Sequence, residues 1–187
     1  MGFTRRKLEA FRGATVPDLI GERCDLLFVG INPGLWTAAT QTHFCHPSNR
    51  FYPALRQAGI IDWGVDTDRG MTDEQRTTLT SAGFGITNLV RRATVGASEL
   101  THDELRAGGG RLQRLTADLG PKVVAVAGVT AYRAAFGQRR AGLGRQHGDF
   151  EGAQLWVVPN PSGLNAHETI ASLADWYSRG ATEAGIR

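Results

Sequence analysis

Short apolar runs alternate along the chain with longer amphipathic stretches. Leu26 to Ile31, LLFVGI, is an apolar run that ends in Asn32-Pro33-Gly34, the pattern of a buried strand leaving through a tight loop. Phe84 to Val90, Val123 to Gly128 and Leu155 to Val158 read as further strands, the last ending in Pro159-Asn160-Pro161-Ser162-Gly163-Leu164. Between them, Asn49 to Ala58 reads as a short helix, and Thr72-Asp73-Glu74-Gln75 is a capping box for a helix that runs to Ala82 and stops at Gly83. Thr101 and Glu104 form a second capping box, opening a helix with Leu105, Leu112, Leu115 and Leu119 on one face. Gly108, Gly109 and Gly110 interrupt that helix at a cost of about 1 kcal/mol each relative to alanine, so something is expected to pack closely there. Thr130 to Phe136 follows the third strand as a helix, and Gly137 to Gly148 reads as a loop rich in Gly and Arg. Asn165 and Glu168 frame a capping box for a closing helix with Ile170, Leu173, Ala174 and Tyr177 on its buried face. Residues 1–23, basic and broken at Pro17, read as a surface arm, and residues 24–187 as a single domain. The alternation predicts a three-layer α/β/α architecture around a short, mostly parallel central sheet.

Composition narrows this picture. A chain of 187 residues with 41% hydrophobic and 21% charged residues has the make-up of one globular domain. Its longest apolar run, Val123 to Ala127, falls far short of the roughly 20 residues of a membrane span. The start, Met1-Gly2-Phe3-Thr4-Arg5-Arg6-Lys7, lacks the apolar segment of a signal peptide, so the expected location is cytoplasmic. Two cysteines, Cys24 and Cys45, rule out a disulfide scaffold or a four-cysteine metal site within one chain. The spacing of His43, Cys45 and His46 is not a zinc pattern, so no metal and no cofactor are expected. Net charge is only +3, yet all but two of the 21 basic residues are arginine, the side chain that forks onto phosphates. A polyanionic partner and a GC-rich genome explain that bias equally well. Lys7 and Lys122 are the only side-chain amines that could form a Schiff base.

Candidate chemistry lies in the two asparagine–proline loops, GINPGL after the first strand and PNPSGL after the last. Ligands of parallel α/β sheets bind beyond the carboxyl ends of the strands, so two loops leaving parallel strands in one direction should line one crevice. Proline restricts the asparagine before it, and glycine permits close backbone approach. Asn, Pro and Gly are also ordinary turn residues, and either loop alone reads better as a plain turn.

Taken together with Phe44-Cys45-His46-Pro47-Ser48-Asn49-Arg50-Phe51 and GITNLVRRATVGASEL, the two loops resemble the mismatch-specific uracil-DNA glycosylase and thymine-DNA glycosylase family of the uracil-DNA glycosylase superfamily, over Asp25 to about Tyr177. The resemblance implies a uracil-DNA glycosylase-like fold and a base flipped out of the duplex for hydrolysis of its bond to deoxyribose. It makes Asn32 the catalytic residue, a neutral amide that orients a water through its carbonyl rather than acting as general base. It makes Phe44 the aromatic floor under the base, and Ile31 and Gly34 the backbone contacts to pyrimidine oxygens. Thr37 borders the space near a pyrimidine 5-methyl group, and Asn88 stands where some relatives carry lysine. Gly163 and Leu164 match the wedge that enters the space left by the flipped base, with Asn160, Ser162 and Asn165 in the same DNA-facing loop. Leu164 as a hydrophobic staple and Asn165 as a helix cap is the plainer alternative. Ala166 replaces an arginine often found two residues after the wedge leucine. Arg139, Arg140 and Arg145 are candidates for phosphate contacts, or a solvated basic loop.

The resulting expectation is a monomeric, monofunctional enzyme that removes uracil from double-stranded DNA, preferably opposite guanine, with thymine and ethenocytosine as further substrates. A broad uracil glycosylase acting also on A·U pairs and single strands, and a noncatalytic module that binds damaged DNA, are the rivals.

Overall fold

The computed structural model describes residues 2–186. Five strands form one sheet: β1 (Leu26–Gly30), β2 (Phe84–Asn88), β3 (Val123–Ala127), β4 (Gly144–Arg145) and β5 (Gln154–Val158), in the order β2-β1-β3-β5-β4. All pairings are parallel except that of β4, which runs antiparallel along β5. The three-layer expectation holds, and its cause is visible in the strands. Every residue of β1, β2 and β3 is buried, as the strands of a sheet covered on both faces must be. Leu26 and Phe28 point into one core with Phe84, Trp156, Leu173 and Tyr177, while Leu27 and Val29 point into the other with Leu105, Leu112, Val124 and Val157.

The helices are α1 (Arg5–Glu9), α2 (Leu35–Thr40), α3 (Phe51–Gln57), α4 (Asp73–Ser81), α5 (His102–Leu119), α6 (Val129–Phe136) and α7 (Ile170–Glu183). Thr72 and Thr101 make the expected capping boxes at α4 and α5. The three glycines do not break α5, which is continuous through them. Gly108 and Gly109 let it lie against its neighbours: a Cβ on Gly109 would stand 2.7 Å from the Ala135 carbonyl oxygen, and one on Gly108 would collide with the Leu89 carbonyl.

Two expectations need correction, and one helix is new. The closing helix is capped by Thr169 with Ser172, not by Asn165 with Glu168, and it begins at Ile170, which is 37% exposed rather than buried. The loop over residues 137–148 contains the short edge strand β4. Helix α2 follows the first asparagine–proline loop directly and was not anticipated.

The basic N-terminal segment is in part joined to this body. Leu19 and Ile86 exchange two backbone hydrogen bonds, 2.9 and 2.8 Å, so residues near 19 cover the free edge of β2. Val16 is fully buried with Leu35, Ala38 and Ala93, and Leu8, Phe11 and Ala14 pack on the same cluster. Among the described residues no helix is long and apolar enough to cross a membrane.

Candidate active site

Chain order reverses between β1 and β3: β2 lies on one side of β1, and β3 with everything after it on the other. Such a switch point opens a crevice at the carboxyl ends of the strands, and the first loop leaves β1 there. Gly128, which follows β3 with φ +112°, sits between the two loops. A Cβ placed on it would lie 3.3 Å from the Ile31 side chain and 3.8 Å from Asn160 Cβ. The two asparagine–proline loops are therefore neighbours.

Asn32 is held by its nitrogen. Its Nδ2 donates to the carbonyls of Pro33 and Arg92, at 3.0 and 3.2 Å, and to Thr94 Oγ1 at 2.7 Å. Carbonyl oxygens only accept, so the orientation of this amide follows from chemistry. Thr94 agrees: its single hydroxyl proton goes to the Gly96 carbonyl at 2.8 Å, leaving its oxygen to accept. With the nitrogen committed, Oδ1 accepts no hydrogen bond from the described residues and is free to bind a small donor. Arg92 is itself fixed, since its guanidinium forks onto the Glu104 carboxylate and bonds the Glu99 carbonyl at 3.1 Å. That fork, aided by the Thr101 cap, pulls the Glu104 carboxyl down to about 2. Thr94 and Arg92 carry no local signal of this role. They stand inside the segment that bears the family resemblance, and only a fold that pairs Gly34 with Thr94 brings them to Asn32.

A second amide is oriented at the end of β2. His43 is 3% exposed, and its Nε2 lies 2.9 Å from the Pro17 carbonyl, so the ring proton is on Nε2. Burial pushes the His43 pKa down, which favours the neutral ring. Its Nδ1 then accepts from Asn88 Nδ2 at 3.0 Å, leaving Asn88 Oδ1 as the unspent acceptor. The backbone of Asn88 is pinned as well, because Arg111 donates to its carbonyl and, at 3.0 Å, to Thr87 Oγ1.

Gly30, the last residue of β1, packs against this second amide and against Phe44. A Cβ there would collide with Asn88 Oδ1 and stand 3.1 Å from the Phe44 ring. Phe44 adopts φ +56°, a left-handed backbone that is unusual for an aromatic residue. One face of its ring stacks on Phe51, 4.2 Å between centroids and 25° between planes, and the side chain is half-buried. It also lines a cavity of about 350 Å³ with Cys45, His46, Tyr52, Arg56 and Ile170. Gly34 has no protein atom within 4 Å of where a side chain would be, so its backbone borders open space. Thr37 is buried in α2, with its carbonyl accepting from Thr40 Oγ1 and Thr42 N.

The second loop is built differently. Asn160 Oδ1 accepts from Ser162 N at 3.0 Å, and Asn165 Nδ2 returns to the Asn160 carbonyl at 3.0 Å. Gly163 is packed on Ser48, where a Cβ would stand 2.7 Å from the Ser48 carbonyl oxygen. Leu164 at the tip is 95% exposed, so it is not a staple of the closing helix.

Arg139, Arg140 and Arg145 are exposed, and Arg145 lies on β4, the far edge strand of the sheet. Three strand spacings, roughly 14 Å, separate β4 from β1, so the fold does not bring Arg145 to Asn32. Lys122 precedes β3 at the opposite end of the sheet, where it pairs with Asp25 at 3.1 Å. Among the described residues no cluster of three or more His, Cys, Asp or Glu side chains is placed to hold a metal.

A three-layer α/β fold with its polar side chains gathered at the switch point defines a ligand-binding α/β protein that works at the carboxyl edge of its sheet. The chain belongs to the Uracil DNA glycosylase superfamily, whose profile matches residues 17–179. Membership gives the class of reaction, cleavage of an N-glycosyl bond to remove a base from DNA. The fold is also similar to the solution NMR structure of a candidate uracil DNA glycosylase from Methanosarcina acetivorans, at 17% identity and a TM-score of 0.60, covering 94% of this chain and 98% of that one.

Proposed function

We propose that this protein is a monofunctional DNA glycosylase that removes uracil from double-stranded DNA, preferably from G·U mismatches, as a step in base excision repair. The observation that carries the reading is the Asn32 amide, with its nitrogen tied to Thr94, Arg92 and Pro33 and its oxygen left over. A neutral amide cannot take a proton near pH 7, so its part is to hold a water by Oδ1 beside C1′ of the flipped nucleotide. The C1′–N1 bond breaks with its electron pair leaving on the uracil ring, the water oxygen bonds C1′, and the water proton passes to solvent. The sugar carries oxocarbenium character and the departing base carries negative charge, which backbone donors of the first loop stabilise. Phe44 supplies the stacking surface, and Asn88 Oδ1, an acceptor, faces the imide proton that uracil carries. Leu164 fills the space left in the duplex.

No carboxylate stands at the position of Asn32, so the chemical step is slow compared with that of glycosylases that use aspartate there. Lys122 pairs with Asp25 at the opposite end of the sheet and Lys7 lies on α1, so an intact abasic sugar is the expected product. The test is single-turnover excision from duplexes with G·U, A·U and G·T pairs and from single strands. Fastest excision from G·U, alkali-labile products and no covalent adduct on borohydride treatment are expected. Equal rates on A·U and single strands would replace mismatch preference with broad uracil removal. Efficient trapping would overturn the monofunctional mechanism, and duplex binding without excision would make the protein a noncatalytic module.

A further inference from the structure

The loop that carries Leu164 is not seated by its own helix. It runs from β5 to Thr169 without an element of regular structure, and its leucine is almost fully exposed rather than packed against the body. Its main-chain carbonyls are instead gathered by one residue of the HPSNRF segment. Arg50 donates to four of them: its backbone N–H to Pro161 at 3.0 Å, its Nη2 to Ser162 and Asn165, each at 2.6 Å, and its Nη1 to Glu168. Those four carbonyls bracket Leu164 on both sides.

The local sequence frees Arg50 for this work. It occupies the N-cap position of α3 but makes no capping bond with its side chain, while Asn49 Oδ1 accepts from Phe51 N at 2.9 Å. Among the described residues Arg50 forms no ion pair with a carboxylate, and both of its terminal nitrogens bond main-chain oxygens. The geometry asks for a guanidinium. A planar fork reaches several fixed acceptors at once, whereas an ammonium is a single point on a flexible stem. Ser48 contributes from the same segment, since Gly163 rests against it closely enough to exclude any side chain.

We propose that Arg50 is a positioning residue for base flipping: it holds the 161–168 loop in the one arrangement that presents Leu164 to the duplex, without touching the base or the reacting atoms. This rests on the glycosylase reading. A wedge matters when a stacked and paired nucleotide must be extruded and matters little when the nucleotide is already unstacked. Loss of Arg50 should therefore divide substrates by how much stacking opposes flipping, which neither a general loss of stability nor damage to the chemical step would do.

The experiment is single-turnover excision from two duplexes of the same sequence, one with uracil in a G·U pair and one with uracil in a three-nucleotide bubble, by wild type, Arg50→Lys, Leu164→Ala and the double variant. Arg50→Lys keeps the charge and removes the fork. It should lose about 10–100-fold on G·U, the scale on which misplacement of about 1 Å costs rate, and less than about threefold on the bubble. The double variant should be no slower on G·U than the slower single variant, because both changes remove the same wedge. Gly163→Ala, which unseats the loop from the Ser48 side and leaves Arg50 alone, should reproduce the same division between substrates. Equal losses on both substrates for Arg50→Lys and Gly163→Ala, wild-type rates for Arg50→Lys on G·U, or multiplicative losses in the double variant would each overturn the positioning role. A wild-type protein inactive on both duplexes would instead fail the glycosylase reading, a result distinct from any of these.

Discussion

The two asparagine–proline loops start from nearly the same residues and spend their asparagines in opposite ways. In the second loop, Asn160 gives its oxygen to Ser162 N two residues on, which is a turn closed on itself. In the first, Asn32 gives its nitrogen to Pro33, Arg92 and Thr94, the last two some sixty residues away, and keeps its oxygen. The loops differ in what they present as well. The first is backed by buried polar networks running through Thr94 and, across Gly30, through His43 and Asn88. The second thrusts an apolar side chain into solvent and is gripped from below by Arg50. An Asn-Pro dipeptide therefore specifies a bend, and the distant partners of the asparagine amide decide whether the bend is scaffold or reagent.

Four substitutions or conditions would break or sharpen that contrast. Asn32→Ala should lower single-turnover excision by about 10²–10⁴-fold, the usual worth of a group that handles the attacking water, with duplex affinity retained in a binding assay. Equal excision would return the first loop to the status of a turn. Thr94→Val, which removes the acceptor and lets the amide turn, should cost roughly 10–100-fold in the same assay, as expected for one unmade buried hydrogen bond of about 1–3 kcal/mol. Asn160→Ala loses one turn hydrogen bond, about 1 kcal/mol, and should slow excision only a few-fold and only on paired substrates. A loss as large as that of Asn32→Ala would erase the distinction between the loops.

The smallest effect is on stability. His43 is buried neutral and its folded pKa lies below the ordinary histidine value, so the unfolded chain binds its proton first as pH falls. Its contribution is fully present above pH about 6.5 and is lost progressively below it. Denaturant titrations should show the protein less stable at pH 5 than at pH 7, and His43→Gln should flatten that dependence. An unchanged slope would remove His43 from the buried network behind Asn88.

The parallel strands were legible because a strand buried on both faces leaves a continuous apolar run, and Leu26–Gly30 and Val123–Ala127 have no polar residue. Thr72 and Thr101 were legible because a capping box is a local arrangement. The same local logic misplaced the start of α7: Asn165 and Glu168 have the right spacing, but Asn165 turns back to Asn160 and Thr169 caps the helix instead. Helix α2 gave no periodic signal because most of its six residues are buried. Strand β4 is two residues long and exists through its pairing with β5, and the docking of Leu19 on Ile86 depends equally on a distant edge. At the site, Asn32, Phe44 and Asn88 could be picked out by motif. Thr94, Arg92, His43 and Arg50 could not be assigned their parts, because each acts through a partner that only the folded chain brings within reach.

The proposed chemistry depends on one arrangement, an amide whose nitrogen is held so that its oxygen can hold water. The most direct measurement is a double-mutant cycle on excision from a G·U duplex with Asn32→Ala and Thr94→Val. If Thr94 acts by holding Asn32, its substitution should cost nothing further once Asn32 is alanine. If the two losses multiply, Thr94 acts independently of the amide, and the arrangement at the end of β1 is not the source of the chemistry.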